Sequence, residues 1–477
     1  MSNLLDKSSL VLTPTAYDNG KILSVKPNTS VGDFDFTRNS SATRVNSQGL
    51  IEDVQILSSN LVTNGDFSQI GSEEVTNGDF SNGSTDWSVV GLATISNGVA
   101  SFVDNGTNTN SYINQNVFTV GKFYKVTFDV TRYVSGRIQL QVNTLYSVDI
   151  SGGIGTYTTY VKSDNIRLLM KRDGAYPNYD FDIDNVSVKE VGQGWNLGTG
   201  WSIGNNKAIA NNVPNLQRLQ RAGNNPSVIG NTYKYSINIS NVSGFYSVYI
   251  FGVYVLATSN TEGIIEGEFT ATSTNGAFWV AGASASGLIS ATIENITILE
   301  ITEDTNLPRI DYTGGVGHWL FEPQSTNLIT YSSDFSNSYW SKLGSPTVTL
   351  NYGTSPDGQN NSVRIQGNSS TIIYNNGGFS ATDGRSMYVK ATSGSGSIQL
   401  LSNFNNTDNV FSIDENWKRV EINTSSSATS TFYAVDMRGA STDIFDIEIW
   451  GAQIENLSFA TSYIPTNGST VTRLQDA

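Results

Sequence analysis

Apolar residues along this chain hardly ever recur at the helical spacing i, i+3, i+4, i+7. They alternate with polar ones in short runs, closed by Asn-Gly, Asp-Gly, Gly-Ser and Asn-Asn pairs. A period of two puts one set of side chains on each face of a pleated strand, and those pairs supply the backbone that hairpin turns need. The pattern predicts strands over 124–130, 137–142, 235–239, 293–298 and 446–450, in an all-β chain built of two-layer sandwiches or jelly rolls. At roughly 150 residues per domain, a length of 477 with 38 % hydrophobic residues supports about three cores.

The polar half of the pattern comes from Ser, Thr, Asn and Gly rather than from charge. Only 14 % of residues are charged, and 27 Lys plus Arg against 42 Asp plus Glu leave a net charge of −15. That field repels nucleic-acid phosphates and anionic membrane surfaces alike, so neither is an expected partner. The absence of cysteine excludes disulfides, thiol nucleophiles and thiolate metal sites. The single histidine, His318, excludes multi-histidine metal sites; no Gly-x-Ser-x-Gly elbow lies near it, and packing is its expected role. Carboxylate-pair catalysis remains, but the acidic residues are scattered. Residues 1–12 lack the basic and apolar regions of an export signal, and no apolar run approaches the roughly 18 residues of a membrane helix. The longest, 245–256, reads as one buried strand.

Three segments share an opening, a middle and a close. The openings are Asn77-Gly-Asp-Phe-Ser-Asn-Gly-Ser-Thr-Asp-Trp87, Gly194-Trp-Asn-Leu-Gly-Thr-Gly-Trp201 and Ser333-Asp-Phe-Ser-Asn-Ser-Tyr-Trp340; the middles are 121–129, 230–238 and 383–390. The closes are Phe181-Asp-Ile-Asp-Asn-Val-Ser-Val188, Ala291-Thr-Ile-Glu-Asn-Ile-Thr-Ile298 and Phe445-Asp-Ile-Glu-Ile-Trp-Gly-Ala-Gln-Ile-Glu455. They define modules at 61–193, 194–303 and 326–456, an extended N-terminal segment at 1–60, a linker at 304–325 and a tail at 457–477. Trp87, Trp201 and Trp340 then share one repeat position, expected to anchor each core. Val62-Thr-Asn-Gly-Asp-Phe-Ser68 recurs verbatim at 75–81, and one copy reads as a slipped relic.

The Asn-Gly-Asp-Phe opening, the Trp after it and the Asp-Ile-Asp-Asn-Val-Ser-Val close resemble the β-jelly-roll carbohydrate-binding modules of the family 4/9 type. Module two departs from that pattern by lacking the opening Asp-Phe, and module three by ending in Trp450-Gly-Ala-Gln-Ile-Glu. The N-terminal stretch 10–27, which opens Leu10-Val-Leu-Thr-Pro-Thr-Ala-Tyr17, with 33–52, which opens Asp33-Phe-Asp-Phe-Thr-Arg-Asn-Ser-Ser-Ala-Thr-Arg-Val45, is similar to the leader of tailed-bacteriophage virion proteins of the fibre or structural kind. Pro308-Arg-Ile-Asp-Tyr312, Leu320-Phe-Glu-Pro-Gln-Ser-Thr-Asn-Leu-Ile-Thr330, Ala460-Thr-Ser-Tyr-Ile-Pro465 and Val471-Thr-Arg473 resemble the same group. The resemblance implies a phage-particle protein and no catalytic mechanism.

Sugar binding needs an exposed aromatic face with amides or carboxylates at its edge. Tyr112, Tyr157, Tyr160 and Trp279 lie outside the repeat frame and are the candidates, with ordinary packing the competing reading. Asp66, Asp79, Asp182 and Asp184 bring hard oxygen ligands from opening and closing strands, a candidate structural Ca²⁺ site in module one. Asx-turn chemistry explains the opening pair equally well. Phe34, Phe36, Arg38 and Arg44 form either an assembly arm that adds a strand to another virion subunit, or extra strands on module one.

The expectation is therefore a non-enzymatic phage fibre or appendage on the virion exterior, a tail fibre first and homotrimeric, whose partners are other virion proteins and host-surface glycans. A head fibre or capsid decoration without a receptor role, and a polysaccharide depolymerase, are the alternatives.

Overall fold

The computed structural model describes residues 7–477 except 19, 28, 107–109, 143, 177, 222–226, 275, 284–286, 381, 403–408, 423–430 and 439–440. The chain is all-β: strands account for its regular structure, with one 3-10 turn at Ser30–Gly32 among the described residues. It divides into two compact units, Ser58–Ile301 and a second made of Met1–Leu57 together with Thr302–Ala477. No helix among the described residues is long and apolar enough to cross a membrane.

The first unit holds two sandwiches. In the first, one sheet runs Gly155–Lys162, Phe123–Ser135, Asp180–Val191, Val99–Val103, Thr94–Ser96, and the facing sheet runs Thr144–Val148, Ile138–Val142, Arg167–Arg172, Tyr112–Asn116, Ser88–Val90. In the second, the sheets run Gly263–Thr270, Thr232–Ser243, Ile289–Glu303, Lys207–Val213, Trp201–Gly204, and Val253–Ser259, Tyr246–Ile250, Phe278–Gly282, Arg218–Arg221, Trp195–Leu197. The other unit repeats this strand order in a third sandwich, with Lys418–Ile422, Gly384–Ala391, Asp446–Glu455, Val363–Gln366, Thr347–Thr349 facing Val410–Ile413, Gly396–Ser402, Phe432–Asp436, Ile372–Asn375, Ser341–Leu343. All the pairings within these sheets are antiparallel. The alternation read from sequence drives the layering: in Asp180–Val191 the apolar Phe181, Ile183, Val186 and Val188 are buried while the polar residues between them face out.

That alternation slips once per closing strand. Asn185 takes a left-handed backbone (φ 50°) and Gly451 does the same (φ 67°), each at a register shift against the neighbouring strand. The extra residue is a β-bulge, held by Gly, which has no Cβ to clash at positive φ, or by Asn, whose short polar side chain tolerates it. Gly451 thus serves the bulge that Asn185 serves, which accounts for the different ending of module three.

The duplicated opening is not a relic. Val75 and Phe80 sit in the core of the first sandwich, whereas Val62 and Phe67 sit in the core of the second. In both copies the Asn and Phe have left-handed φ, at 55° and 56° for Asn64 and Phe67 and 53° and 50° for Asn77 and Phe80. The glycine between them lies against the bulge of its own closing strand: the carbonyl of Gly78 accepts from Val186 N–H at 2.8 Å, and that of Gly65 from Ile296 N–H at 3.0 Å. A Cβ at Gly65 or Gly78 would stand 2.1 or 2.0 Å from a strand carbonyl oxygen, so only glycine permits the approach. The second sandwich therefore begins before the first one, and the boundary read at 194 is corrected to a discontinuous module interrupted by Ile70 to Val191.

The run 245–256 is also corrected. It forms two strands, Tyr246–Ile250 and Val253–Ser259, joined through Phe251 and Gly252 at positive φ. Tyr246, Val248 and Ile250 enter the core, so their apolar character is spent inside one chain.

In the other unit, the segment read as a linker is structural. Arg309–Asp311 pairs with His318–Leu320, and Ser325–Asn327 pairs with Val471–Arg473 from the tail. Val45 N–H donates to Asp311 Oδ2 at 2.8 Å, and Thr43 Oγ1 donates to the carbonyl of Tyr463 at 2.5 Å. At the centre lies a buried ionic cluster: Arg38 reaches Asp476 at 2.9 Å, Arg309 reaches Glu322 at 2.8 Å and also Asp476, and Arg473 lies 3.2 Å from Glu322. All the stretches that resemble virion proteins belong to this one body. Phe36 and Arg38 are buried in it and Arg44 pairs with Glu52 at 2.8 Å, leaving Phe34 as the exposed member of the expected arm. The four residues do not form a free arm, nor strands on module one; the hairpin they lead into packs Val45 and Ile51 on Trp450 and Tyr463. His318, expected to pack, stands half exposed, 3.8 Å from Asp311.

Candidate functional site

The outward face of the second sandwich's sheet built by Arg218–Arg221, Phe278–Gly282, Tyr246–Ile250 and Val253–Ser259 carries an aromatic cluster. Phe278 and Val280 point into the core, so the intervening Trp279 must point out. Register brings Gln220, Trp279, Tyr249 and Tyr254 abreast on four adjacent strands. Tyr249 stacks on Trp279 with centroids 5.0 Å apart and planes 7° from parallel. The Arg218 guanidinium carbon lies 4.4 Å from the Trp279 ring centroid, a cation–π contact. Tyr254 meets both rings edge-on, at 5.1 Å from Tyr249 and 5.4 Å from Trp279.

Those contacts change which ring is available. Trp279 is only 6 % exposed, with Tyr249 and Arg218 against it, so it organises the cluster instead of offering an open face. Tyr254 is 56 % exposed and meets Trp279 edge-on, while Arg218 and Gln220 flank that indole from the strand on its other side. An exposed ring on a face that also carries such donors has the chemistry to stack on the C–H face of a pyranose and bond its hydroxyls. Read as one strand, 245–256 hides Tyr249 and Tyr254, and Gly252 is the turn signal that separates them; Arg218 carries no local signal and joins the cluster only through strand register.

The other aromatic candidates are dispersed. Tyr112 is half-buried on the outward face of the first sandwich, in register with Lys171 and, one strand further, Gln139. Tyr157 stacks on Phe128 at 5.8 Å, and its hydroxyl donates to the carbonyls of Ile150 and Gly153; burial raises its pKa. Tyr160 lies against Gly204 and donates to Asn205 Oδ1 at 3.2 Å, which makes it a contact between the two sandwiches of its unit. The structure does not bring these three tyrosines together with Trp279.

The four aspartates likewise part company. Asp66 belongs to the second sandwich's opening, and both it and Asp79 close Asx turns on the residue two ahead, accepting from Ser68 and Ser81, which holds their carboxyls below the usual range. Asp182 is clasped by Arg132 at 2.7 and 2.9 Å. Asp184 is pushed up by burial, with Asp129 and Asp79 adding to the effect. Among the described residues no three His, Asp or Glu side chains gather as a metal site would require. Trp87, Trp201 and Trp340 are all buried in cores, as expected, but the shared repeat position belongs to Trp87, Trp195 and Trp340: each of those indole N–H groups donates to a carbonyl at or just before its module's opening, whereas Trp201 donates to Gln217.

No family model and no curated protein matches the chain. Among solved structures it is similar to the CBM22-1–CBM22-2 tandem, two carbohydrate-binding modules, of Paenibacillus barcinonensis Xyn10C, at 11 % identity and TM-score 0.19 over 55 % of this chain and 93 % of that one. It is similar too to the M60 catalytic domain with CBM51-1 and CBM51-2 of Clostridium perfringens ZmpB, at 10 % identity and TM-score 0.18 over 91 % of this chain and 44 % of that one. A third is a triple-jelly-roll protein of an archaeal virus, at 11 % identity and TM-score 0.16 over 79 % and 91 % of the two chains.

Proposed function

We propose that this chain is a non-enzymatic component of the exterior of a bacteriophage particle, a fibre or appendage, whose sandwiches bind host-surface glycans. The observation that carries the glycan reading is the outward cluster on the second sandwich, where exposed Tyr254 meets Trp279 edge-on and Gln220 and Arg218 flank that indole from its other side. The virion reading rests on the resemblance of the N-terminal, 308–330 and C-terminal stretches. Homotrimeric display would let weak single contacts sum by avidity.

Two measurements test this. The full chain, displayed on a host-glycan array, should bind in a saturable way, and Tyr254→Ala should weaken binding by about five- to thirty-fold, the equivalent of ~1–2 kcal/mol. Antibody-gold labelling of purified particles should mark the tail or its tip; label over the head would move the reading to a capsid decoration, and unlabelled particles would end the virion reading.

A further inference from the structure

The outer face of the first sandwich holds a groove of about 340 Å³ that lies apart from the aromatic cluster, lined by Ile70, Gly71, Lys125, Thr127, Ser187 and Lys189. Lys125 and Lys189 are directly opposed on neighbouring strands, and two residues along the same strands Thr127 opposes Ser187. Side chains at opposed positions stand with Cβ atoms ~4.5–5.5 Å apart, and like charges there repel. In a chain with 42 acidic residues against 27 basic ones such a pair is conspicuous. Nearby cations have counter-ions: Lys122 bonds Glu190 at 2.7 Å and Arg132 pairs with Asp180 and Asp182. Neither Lys125 nor Lys189 forms an ion pair within 4.0 Å among the described residues. Glu73, opposite Lys189 on the next strand, turns its carboxylate to Ser187 at the groove's edge, accepting from Ser187 Oγ at 2.6 Å and from the Val188 amide at 2.7 Å, and makes no ion pair with either lysine within 4.0 Å.

We infer that this groove binds a carboxylate-bearing sugar residue of an acidic polysaccharide. This deepens the glycan-binding reading and rests on it. The carboxylate is held between the two ammonium groups, relieving their repulsion and adding charge-assisted hydrogen bonds. Two strand residues span ~6.5 Å, about the reach of one pyranose with its substituents, so the ring's hydroxyls meet Thr127 and Ser187. Ile70, 48 % exposed, offers an apolar wall for the ring's C–H face.

The test is calorimetric titration of the full chain with a hexuronate oligosaccharide and with the same oligosaccharide after reduction of its carboxyls. The carboxylated form should bind about tenfold more tightly, with the margin shrinking as salt rises. Lys125→Gln with Lys189→Gln should erase that margin and melt no lower than the parent, because a repulsion has been removed; Lys125→Arg with Lys189→Arg should keep the margin. Equal affinity for the two forms, or a margin that survives the Gln pair, overturns the inference. If both forms bind equally and Tyr254→Ala abolishes that binding, the groove assignment fails while the glycan reading stands; if neither form nor any arrayed glycan binds, both fail.

Discussion

The indole N–H of Trp195 donates to the backbone carbonyl of Asn64 at 2.9 Å, across 131 residues of chain. In the first sandwich the same bond joins Trp87 to Asn77 over ten residues, and in the third it joins Trp340 to Tyr331 over nine. A phenylalanine packs beside each indole, with ring centroids 5.2 Å apart for Phe67–Trp195, 5.5 Å for Phe80–Trp87 and 4.9 Å for Phe335–Trp340. One local device thus closes all three cores, and in the second it closes around an inserted sandwich.

The insertion makes opposite deletions give opposite results. Removing 62–68 should leave the first sandwich folded and unfold the second, since Val62, Phe67 and the Trp195 partner are lost together. Replacing 70–191 by a short Gly-Ser bridge should leave the second sandwich folded, because Asn64 already touches Gln193, its Nδ2 donating to that carbonyl at 3.1 Å. Hydrogen exchange by peptide would show which sandwich loses protection; a second sandwich that keeps protection without 62–68 would restore the relic reading.

The bulges can be tested by side-chain identity. Asn185→Val should cost ~1–2 kcal/mol, because a β-branched residue is strained at a left-handed φ of 50°. Asn185→Gly should be milder, losing chiefly the bond to Asp129 at 2.8 Å. Denaturant midpoints for the two variants settle the order, and equal costs would argue against the bulge.

Glu322 links acidity to the stability of its unit. Burial alone would raise its carboxyl pKa, but Arg473 and Arg309 and the hydroxyl and amide of Ser462 outweigh burial and hold it below the usual carboxylate range. A carboxyl depressed in the folded state contributes stability above its unfolded pKa of ~4.3 and loses it as pH falls through the lower folded value. Glu322→Gln should therefore destabilise the unit at pH 7 by ~3–5 kcal/mol, by leaving buried arginines uncompensated, and should flatten its stability below about pH 4.5. Denaturant unfolding followed from pH 7 to pH 3 reads both effects. A variant as acid-sensitive as the parent would place the sensitivity in another group.

Calcium has a distinct signature. Arg132 occupies both Asp182 carboxylate oxygens, so a chelator should leave the melting temperature unchanged in the parent. Calcium that raises it by several degrees would show the aspartates regrouping around the ion.

Much of the architecture was legible in the chain. Period-two runs located the closing strands because burial of Phe181, Ile183, Val186 and Val188 needs only local alternation, and three similar openings and closes indicated repetition. The site was less legible. Trp279 stood out by residue type, but its ring is covered by Tyr249 and Arg218 from other strands, and the open ring is Tyr254, which only strand register brings alongside. Arg38 reads as part of an arm and Arg309 as part of a linker; only the fold brings Asp476 of the tail between them and buries the cluster with Glu322.

The two copies of Val-Thr-Asn-Gly-Asp-Phe-Ser mark where each kind of information stops. The sequence by itself determined what both copies do: a left-handed Asn, a glycine thin enough to lie on a bulge, and a buried Phe beside an indole. It did not determine which sandwich each copy serves, since seven identical residues have identical local preferences. Only the tertiary structure settles that, through the core and the Trp N–H that each copy meets: Trp87 stands ten residues beyond Asn77, and Trp195 reaches Asn64 because the chain between them is folded into the first sandwich.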